Sequence, residues 1–144
     1  MDYPEDPFNL KRFLLAQADT YERAVAEIRQ GRKRTHWMWF IFPQIAGLGF
    51  SSTSKLYAIA SLDEARAYLA HPILEPRIIE AAQSCLDIER RTAHEIFGAP
   101  DDMKLRSSMT LFAFVTAGET VFQKVLAKFF DGKPDSRTLE LIGM

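Results

Sequence analysis

Cysteine is almost absent from this sequence: Cys85 is the only one in 144 residues. A single cysteine excludes an internal disulfide and any thiolate cluster for zinc or iron and sulfur, and such sparing use is typical of a reducing compartment. The first ten residues, MDYPEDPFNL, also lack the cationic stretch followed by an apolar run that marks a secretory signal. Both features predict a cytoplasmic protein.

The sequence also lacks an excess of charge of one sign and a long hydrophobic run. Eighteen lysines and arginines stand against nineteen aspartates and glutamates, for a net charge of -1. That balance removes the broad positive field of a nucleic-acid binder and argues against nucleic acid as a partner. The longest apolar run, residues 37–43, is far shorter than the roughly 20 residues of a membrane-spanning helix. We therefore expect a soluble domain with no membrane partner.

Signals for the starts and ends of helices dominate the rest of the sequence. Ser61 with Glu64 and Thr92 with Glu95 have the spacing of capping boxes, and Asn9, Asp101 and Asp135 are further candidate caps. Glycines or prolines follow most of the segments with helical hydrophobic spacing, and no segment shows sustained alternation. The pattern predicts one compact all-α domain over residues 1–144, with about six to eight helices and one irregular aromatic and glycine-containing loop.

The segment that does not follow the helical pattern is residues 35–49, THWMWFIFPQIAGLG. Its aromatic residues favour strands, but it does not alternate, and a lone strand would have no obvious partner. We predict one or two helical turns capped by Thr35, followed by a loop through Gly47 and Gly49. Trp37 and its aromatic neighbours either stack on a planar ligand or pack in the core. Gln44 and the glycines form either a ligand-binding loop or an ordinary connection.

A basic stretch directly precedes this segment. Arg32, Lys33 and Arg34 either hold a phosphate or carboxylate or complement the dipole of a helix ending at Gly31. His36 is the candidate general acid or base, with burial as a satisfied core histidine as the alternative. The three histidines lie too far apart for a local metal motif, so we predict no metal site and no bound cofactor.

A late polar stripe is the last candidate. Lys104 and Ser108 share one face of a predicted helix by their i, i+4 spacing. Serine and threonine are mediocre helix formers, so the hydroxyls of Ser107, Ser108 and Thr110 indicate bonds to a neighbouring loop or to a ligand.

Three segments, GRKRTHWMWFIFPQIAGLG, YLAHP and DMKLRSSMTLF, together resemble a bacterial family classed as domain of unknown function eighteen-ten. The resemblance implies a small, all-helical cytoplasmic protein and supplies no activity. Members are often labelled calpastatin, a disordered protease inhibitor, but the ordered apolar composition of this chain argues against that label. A fainter likeness to NADAR-type helical proteins implies a connection with ADP-ribose derivatives.

Two functions follow from these observations. The first is the binding or processing of a small anionic, nucleotide-like or phosphorylated metabolite, with an ADP-ribose derivative as one candidate. Its predicted site consists of His36 as the candidate catalytic residue and of the candidate ligand-binding residues Arg32, Lys33, Trp37, Gln44, Lys104 and Ser108. The alternative is a non-catalytic protein-interaction module. Convergence of these side chains on one concave pocket would favour the first.

Overall fold

The computed structural model describes residues 5–143. Ten helices form in that range: α1 Lys11–Gln17, α2 Tyr21–Arg29, α3 Met38–Ile41, α4 Ser52–Tyr57, α5 Leu62–Ala70, α6 Leu74–Asp87, α7 Ala93–Phe97, α8 Asp101–Phe114, α9 Val121–Phe130 and α10 Ser136–Leu141. The predicted all-α fold is confirmed. Residues 1–4, part of the segment from which a secretory signal was excluded, and residue 144 lie outside the described range.

The helix count exceeds the predicted six to eight because several helices are only four to six residues long. One of them, α4, directly follows the predicted glycine loop and was not predicted. Its cap is Ser51, whose hydroxyl accepts a hydrogen bond from the Ser54 amide at 3.0 Å. The aromatic turn α3 does form, but its N-cap is Trp37 rather than Thr35.

Helix α8 is the centre of the fold. It packs against α3, α7, α9 and α10, and residues 107–112 are all buried. The hydroxyls of Ser107 and Thr110 bond to the carbonyls of Met103 and Arg106, four residues earlier, at 3.1 and 2.8 Å. The hydroxyl of Ser108 is fully buried and has no hydrogen-bond partner among residues 5–143. Two of the three hydroxyls on this helix are thus satisfied within the helix itself.

The end of α6 is closed by a lysine from α9. The Lys128 ammonium donates to the carbonyl oxygens of Leu86, at 2.6 Å, and Ile88. The last carbonyls of a helix have no partner within it, so this contact satisfies groups that would otherwise depend on water. It also joins two helices that pack along each other.

We expect Lys128→Met to lower the free energy of unfolding by about 1–2 kcal/mol, because a charged donor is lost from several carbonyls at once. Urea unfolding followed by circular dichroism measures the change. Lys124→Met is the matched control: it removes an exposed lysine from the same helix and should cost less than about 0.5 kcal/mol. Equal effects of the two substitutions would contradict the capping role.

No helix within residues 5–143 is long and apolar enough to cross a membrane.

Candidate functional site

A cavity of about 510 Å³ opens between α8, α10, α4 and residues 44–49. Its wall combines apolar surface with cations and a small number of other polar groups. The side chains that matter for its chemistry are Trp39, Gln44, Lys55, Lys104, Ser107, Asp135 and Arg137. This is the mixture of groups typical of a small-molecule site.

Residues 44–49 form one wall and are held in place from both sides. The Ile59 amide donates to the Gln44 carbonyl and the Ala46 amide donates to the Ile59 carbonyl, both at 2.8 Å, which produces an isolated parallel bridge. Gly47 has φ +105°, and a Cβ there would lie 3.1 Å from Leu141 of α10. A Cβ on Gly49 would lie 2.6 Å from Ser54. The left-handed backbone therefore favours glycine at position 47, and the close approach to Ser54 of α4 favours it at position 49.

One face of α8 forms the opposite wall. Pro100, Met103, Lys104 and Ser107 line the cavity, and their spacing places them along one side of the helix. The Lys104 ammonium lies 5.0 Å from the centre of the Trp39 ring and 3.3 Å from an Asp101 carboxylate oxygen. The cavity therefore contains a cation held over an aromatic face.

Lys33 supports this arrangement from behind. Its ammonium lies 2.9 Å from the other carboxylate oxygen of Asp101, and its side chain is nearly buried. One carboxylate is thus shared by two lysines, and the three charged groups sum to +1. Because Lys33 offsets much of the Asp101 charge, the positive charge of Lys104 is not cancelled by its own ion pair.

The third wall is the start of α10. The Asp135 carboxylate accepts hydrogen bonds from the amide and the hydroxyl of Thr138, at 2.9 and 2.6 Å. Arg137, also on this wall, forms an exposed ion pair with Glu140 at 3.1 Å. Three cations, from Lys55, Lys104 and Arg137, thus face the cavity together with one carboxylate that is already engaged as a helix cap. The balance favours an anionic ligand.

The structure brings two of the predicted site residues together at this cavity, Gln44 and Lys104. Lys33 lies behind the wall. Arg32 and His36 are exposed and are not among the residues that line the cavity. The candidate acid or base, His36, therefore lies outside the cavity.

Trp37 and Ser108 are not where a ligand-contacting role would need them, because both are 0% exposed. The indole of Trp37 donates to the Glu27 carboxylate at 2.9 Å, which draws the ring into the core. Trp39, two residues later in the chain, lines the cavity instead of Trp37. On α8 the lining serine is Ser107, since one residue rotates a helix by about 100° and turns Ser108 inward.

Sequence reasoning also missed the cations Lys55 and Arg137. Nothing local marks either one: Lys55 lies on a helix that was not predicted, and Arg137 lies more than thirty residues after Lys104. They become recognisable only when α4 and α10 are packed beside α8.

Metal ligation and thiol chemistry have little support among the described residues. No group of three histidine, cysteine, aspartate or glutamate side chains among residues 5–143 is placed to hold a metal ion. Burial raises the pKa of the Cys85 thiol to about 12, which keeps it protonated and unreactive near neutral pH. The described residues therefore offer neither a metal cluster nor a reactive thiol.

Comparisons with known proteins agree with the fold. The model of a family described as "Protein of unknown function (DUF1810)" matches residues 7–142. The crystal structure of the conserved hypothetical protein Rv1873 from Mycobacterium tuberculosis is 51% identical, with a TM-score of 0.94, and the match covers 96% of this chain and 99% of that one. No match was found among curated proteins. Since the family model spans nearly the whole sequence, the chain belongs to the DUF1810 family of proteins of unknown function.

Proposed function

We propose that the protein binds a small anionic, nucleotide-like or phosphorylated metabolite in the cavity between α8, α10 and residues 44–49, an ADP-ribose derivative being one candidate. The observation that carries this proposal is the convergence of Lys104, Lys55 and Arg137 with Trp39 on one concave surface. The cavity volume of about 510 Å³ lies within the usual range for small-molecule sites.

Each part of the wall supplies a different interaction. The ring of Trp39 offers a face for a planar group, and base stacking on an aromatic side chain is worth about 1–3 kcal/mol. The ammonium of Lys104 and the guanidinium of Arg137 offer charge-assisted hydrogen bonds to phosphate or carboxylate oxygens. The glycine loop allows a ligand to approach the backbone closely, and the Gln44 side chain lies beside it.

A thermal-shift experiment tests the proposal directly. We expect at least one of four compounds to raise the melting temperature of the protein: inorganic phosphate, ribose 5-phosphate, AMP or ADP-ribose. A ligand at 100 times its dissociation constant stabilises the fold by about 2.7 kcal/mol, which such a measurement detects. No shift with any compound of this panel would overturn the proposal.

Lys104→Met is expected to weaken binding of the active compound by about 10-fold or more, because it removes one charged donor but keeps the apolar stem. Isothermal titration calorimetry measures the loss. Lys124→Met, on an exposed part of α9 that does not line the cavity, should leave the affinity unchanged. Equal effects of the two substitutions would show that general charge, and not this cavity, governs binding.

The interaction module is the second candidate, and one feature favours it. Phe50, next to the cavity loop, is 86% exposed, and Leu56 of α4 is 55% exposed. Exposed apolar side chains mark an interaction surface when they form a contiguous patch. If the metabolite panel gives no shift, these side chains make the interaction module the better account.

A further inference from the structure

We infer that the cavity binds its ligand in one orientation, with a planar ring against Trp39 and a phosphate group at Arg137. The inference rests on the proposed function and deepens it: the preferred ligand is a nucleoside monophosphate-like molecule, not a bare phosphate or a bare nucleoside. It follows from how α8 places the two ends of the cavity.

The Trp39 end lies toward the start of α8. Lys104 points back along the helix, because its ammonium contacts Asp101, three residues earlier. The same ammonium lies over the Trp39 ring. Trp39 therefore sits near the first turns of α8, at the end marked by Pro100 and Lys104.

The Arg137 end lies farther along the same helix. Arg106 donates to the carbonyls of Lys133 and Pro134, at 2.9 and 3.1 Å, and the Asp135 amide donates to the Thr110 hydroxyl at 2.8 Å. These bonds fix the start of α10 beside residues 106–110. Six residues separate Lys104 from Thr110, which is about 9 Å along a helix. The Trp39 ring and the start of α10 therefore lie at different positions along α8.

The charges at the two ends differ in kind. At the Trp39 end, the ammonium of Lys104 lies over the ring and 3.3 Å from an Asp101 carboxylate oxygen, so part of its hydrogen-bonding capacity is already engaged there. At the other end, Arg137 is 60% exposed and its partner Glu140 is 63% exposed. An exposed ion pair contributes little, so its guanidinium is free to exchange the carboxylate for a phosphate, which it can bind through two parallel hydrogen bonds.

Calorimetric titration with AMP, adenosine and ribose 5-phosphate separates the two ends. We expect Trp39→Leu to weaken AMP binding by about 10-fold or more and to change ribose 5-phosphate binding by less than about 2-fold, because AMP carries the base and ribose 5-phosphate does not. We expect Arg137→Gln to weaken AMP and ribose 5-phosphate by about 10-fold and to leave adenosine unchanged. Trp39→Phe keeps an aromatic face, should retain most of the AMP affinity, and replaces Trp39→Leu if that variant does not fold.

Arg66→Gln is the matched control, because Arg66 is also an exposed arginine in an i, i+3 ion pair and does not line the cavity. It should leave all three affinities unchanged. If the wild-type protein binds AMP but Trp39→Leu weakens ribose 5-phosphate equally, or Arg137→Gln leaves AMP binding unchanged, the orientation is overturned and the proposed function stands. If the wild-type protein binds none of the metabolite panel, both are overturned.

Discussion

Replacing Arg12 with methionine is expected to lower the free energy of unfolding by about 3–5 kcal/mol, because it removes one partner of a buried ion pair. The Arg12 guanidinium lies 2.6 Å from the Glu64 carboxylate, and the two side chains are only 13% and 4% exposed. The same guanidinium donates to four backbone carbonyls, those of Phe8, Asn9, Leu56 and Ala58. Methionine keeps the apolar stem but satisfies none of these acceptors.

Urea unfolding monitored by circular dichroism measures this loss. Lys11→Met is the control, since it removes an exposed cation from the neighbouring position of α1 and should change stability by less than about 0.5 kcal/mol. Combining Arg12→Met with Glu64→Gln should cost less than the sum of the two single changes, because no uncompensated carboxylate then remains buried. A cost below about 1 kcal/mol for Arg12→Met would contradict this role.

Arg12 also connects the core to the cavity. Its bonds to the Leu56 and Ala58 carbonyls hold the end of α4 and the residues that lead to Ile59. Ile59 in turn holds Gln44 and Ala46 through the parallel bridge. The position of the glycine loop therefore depends on an arginine of α1 that does not itself line the cavity.

Several features set by neighbouring residues could be predicted from the sequence, although the predicted caps Asn9 and Asp101 were wrong: the N-caps of α1 and α8 are Leu10 and Pro100. The capping box of Thr92 and Glu95 forms as expected, with both reciprocal hydrogen bonds, and Asp135 caps α10. Capping depends on residues three apart in the chain, so it needs no tertiary information. Helix α4 was missed because its N-cap and first three residues, SSTS, are of types that favour caps and turns over helix interiors.

The candidate site depended on contacts that the sequence does not display. Lys104 and Gln44 were chosen from their chemistry, and both lie at the cavity. The choice between Trp37 and Trp39 is decided by Glu27, which reaches from α2 and bonds one indole but not the other. The choice between Ser107 and Ser108 depends on how α8 is rotated within the fold. A one-residue difference in either place changes which side chain meets the ligand.

Replacing Glu27 with glutamine is expected to lower the free energy of unfolding by about 3 kcal/mol near neutral pH, and this difference should shrink as the pH falls from about 4.5 to about 2. Burial by itself would raise the pKa of Glu27. Hydrogen bonds from the Thr35 hydroxyl, the Arg34 and Thr35 amides and the Trp37 indole outweigh burial and lower the pKa to about 2, against 4.5 for a free glutamate.

The direction of the pH dependence follows from this depressed pKa. The unfolded chain binds a proton at Glu27 near pH 4.5, whereas the folded protein binds it only near pH 2. The stabilisation is therefore complete above about pH 4.5 and is lost as the pH falls through the folded pKa, and a pKa difference of this size corresponds to about 3 kcal/mol. Glutamine presents an amide where four donors converge, so the variant lacks this contribution at every pH.

Urea unfolding of the wild-type protein and Glu27→Gln between pH 7 and pH 3 tests the expectation. Glu22→Gln provides the control, because Glu22 is exposed on the same helix, and that variant should differ from wild type by less than about 1 kcal/mol. A Glu27→Gln difference that stays constant down to pH 3 would show that lost packing, and not the carboxylate charge, holds the aromatic segment in place. A difference that narrows with acid would instead identify Glu27 as the anchor that directs Trp37 into the core and leaves Trp39 for the cavity.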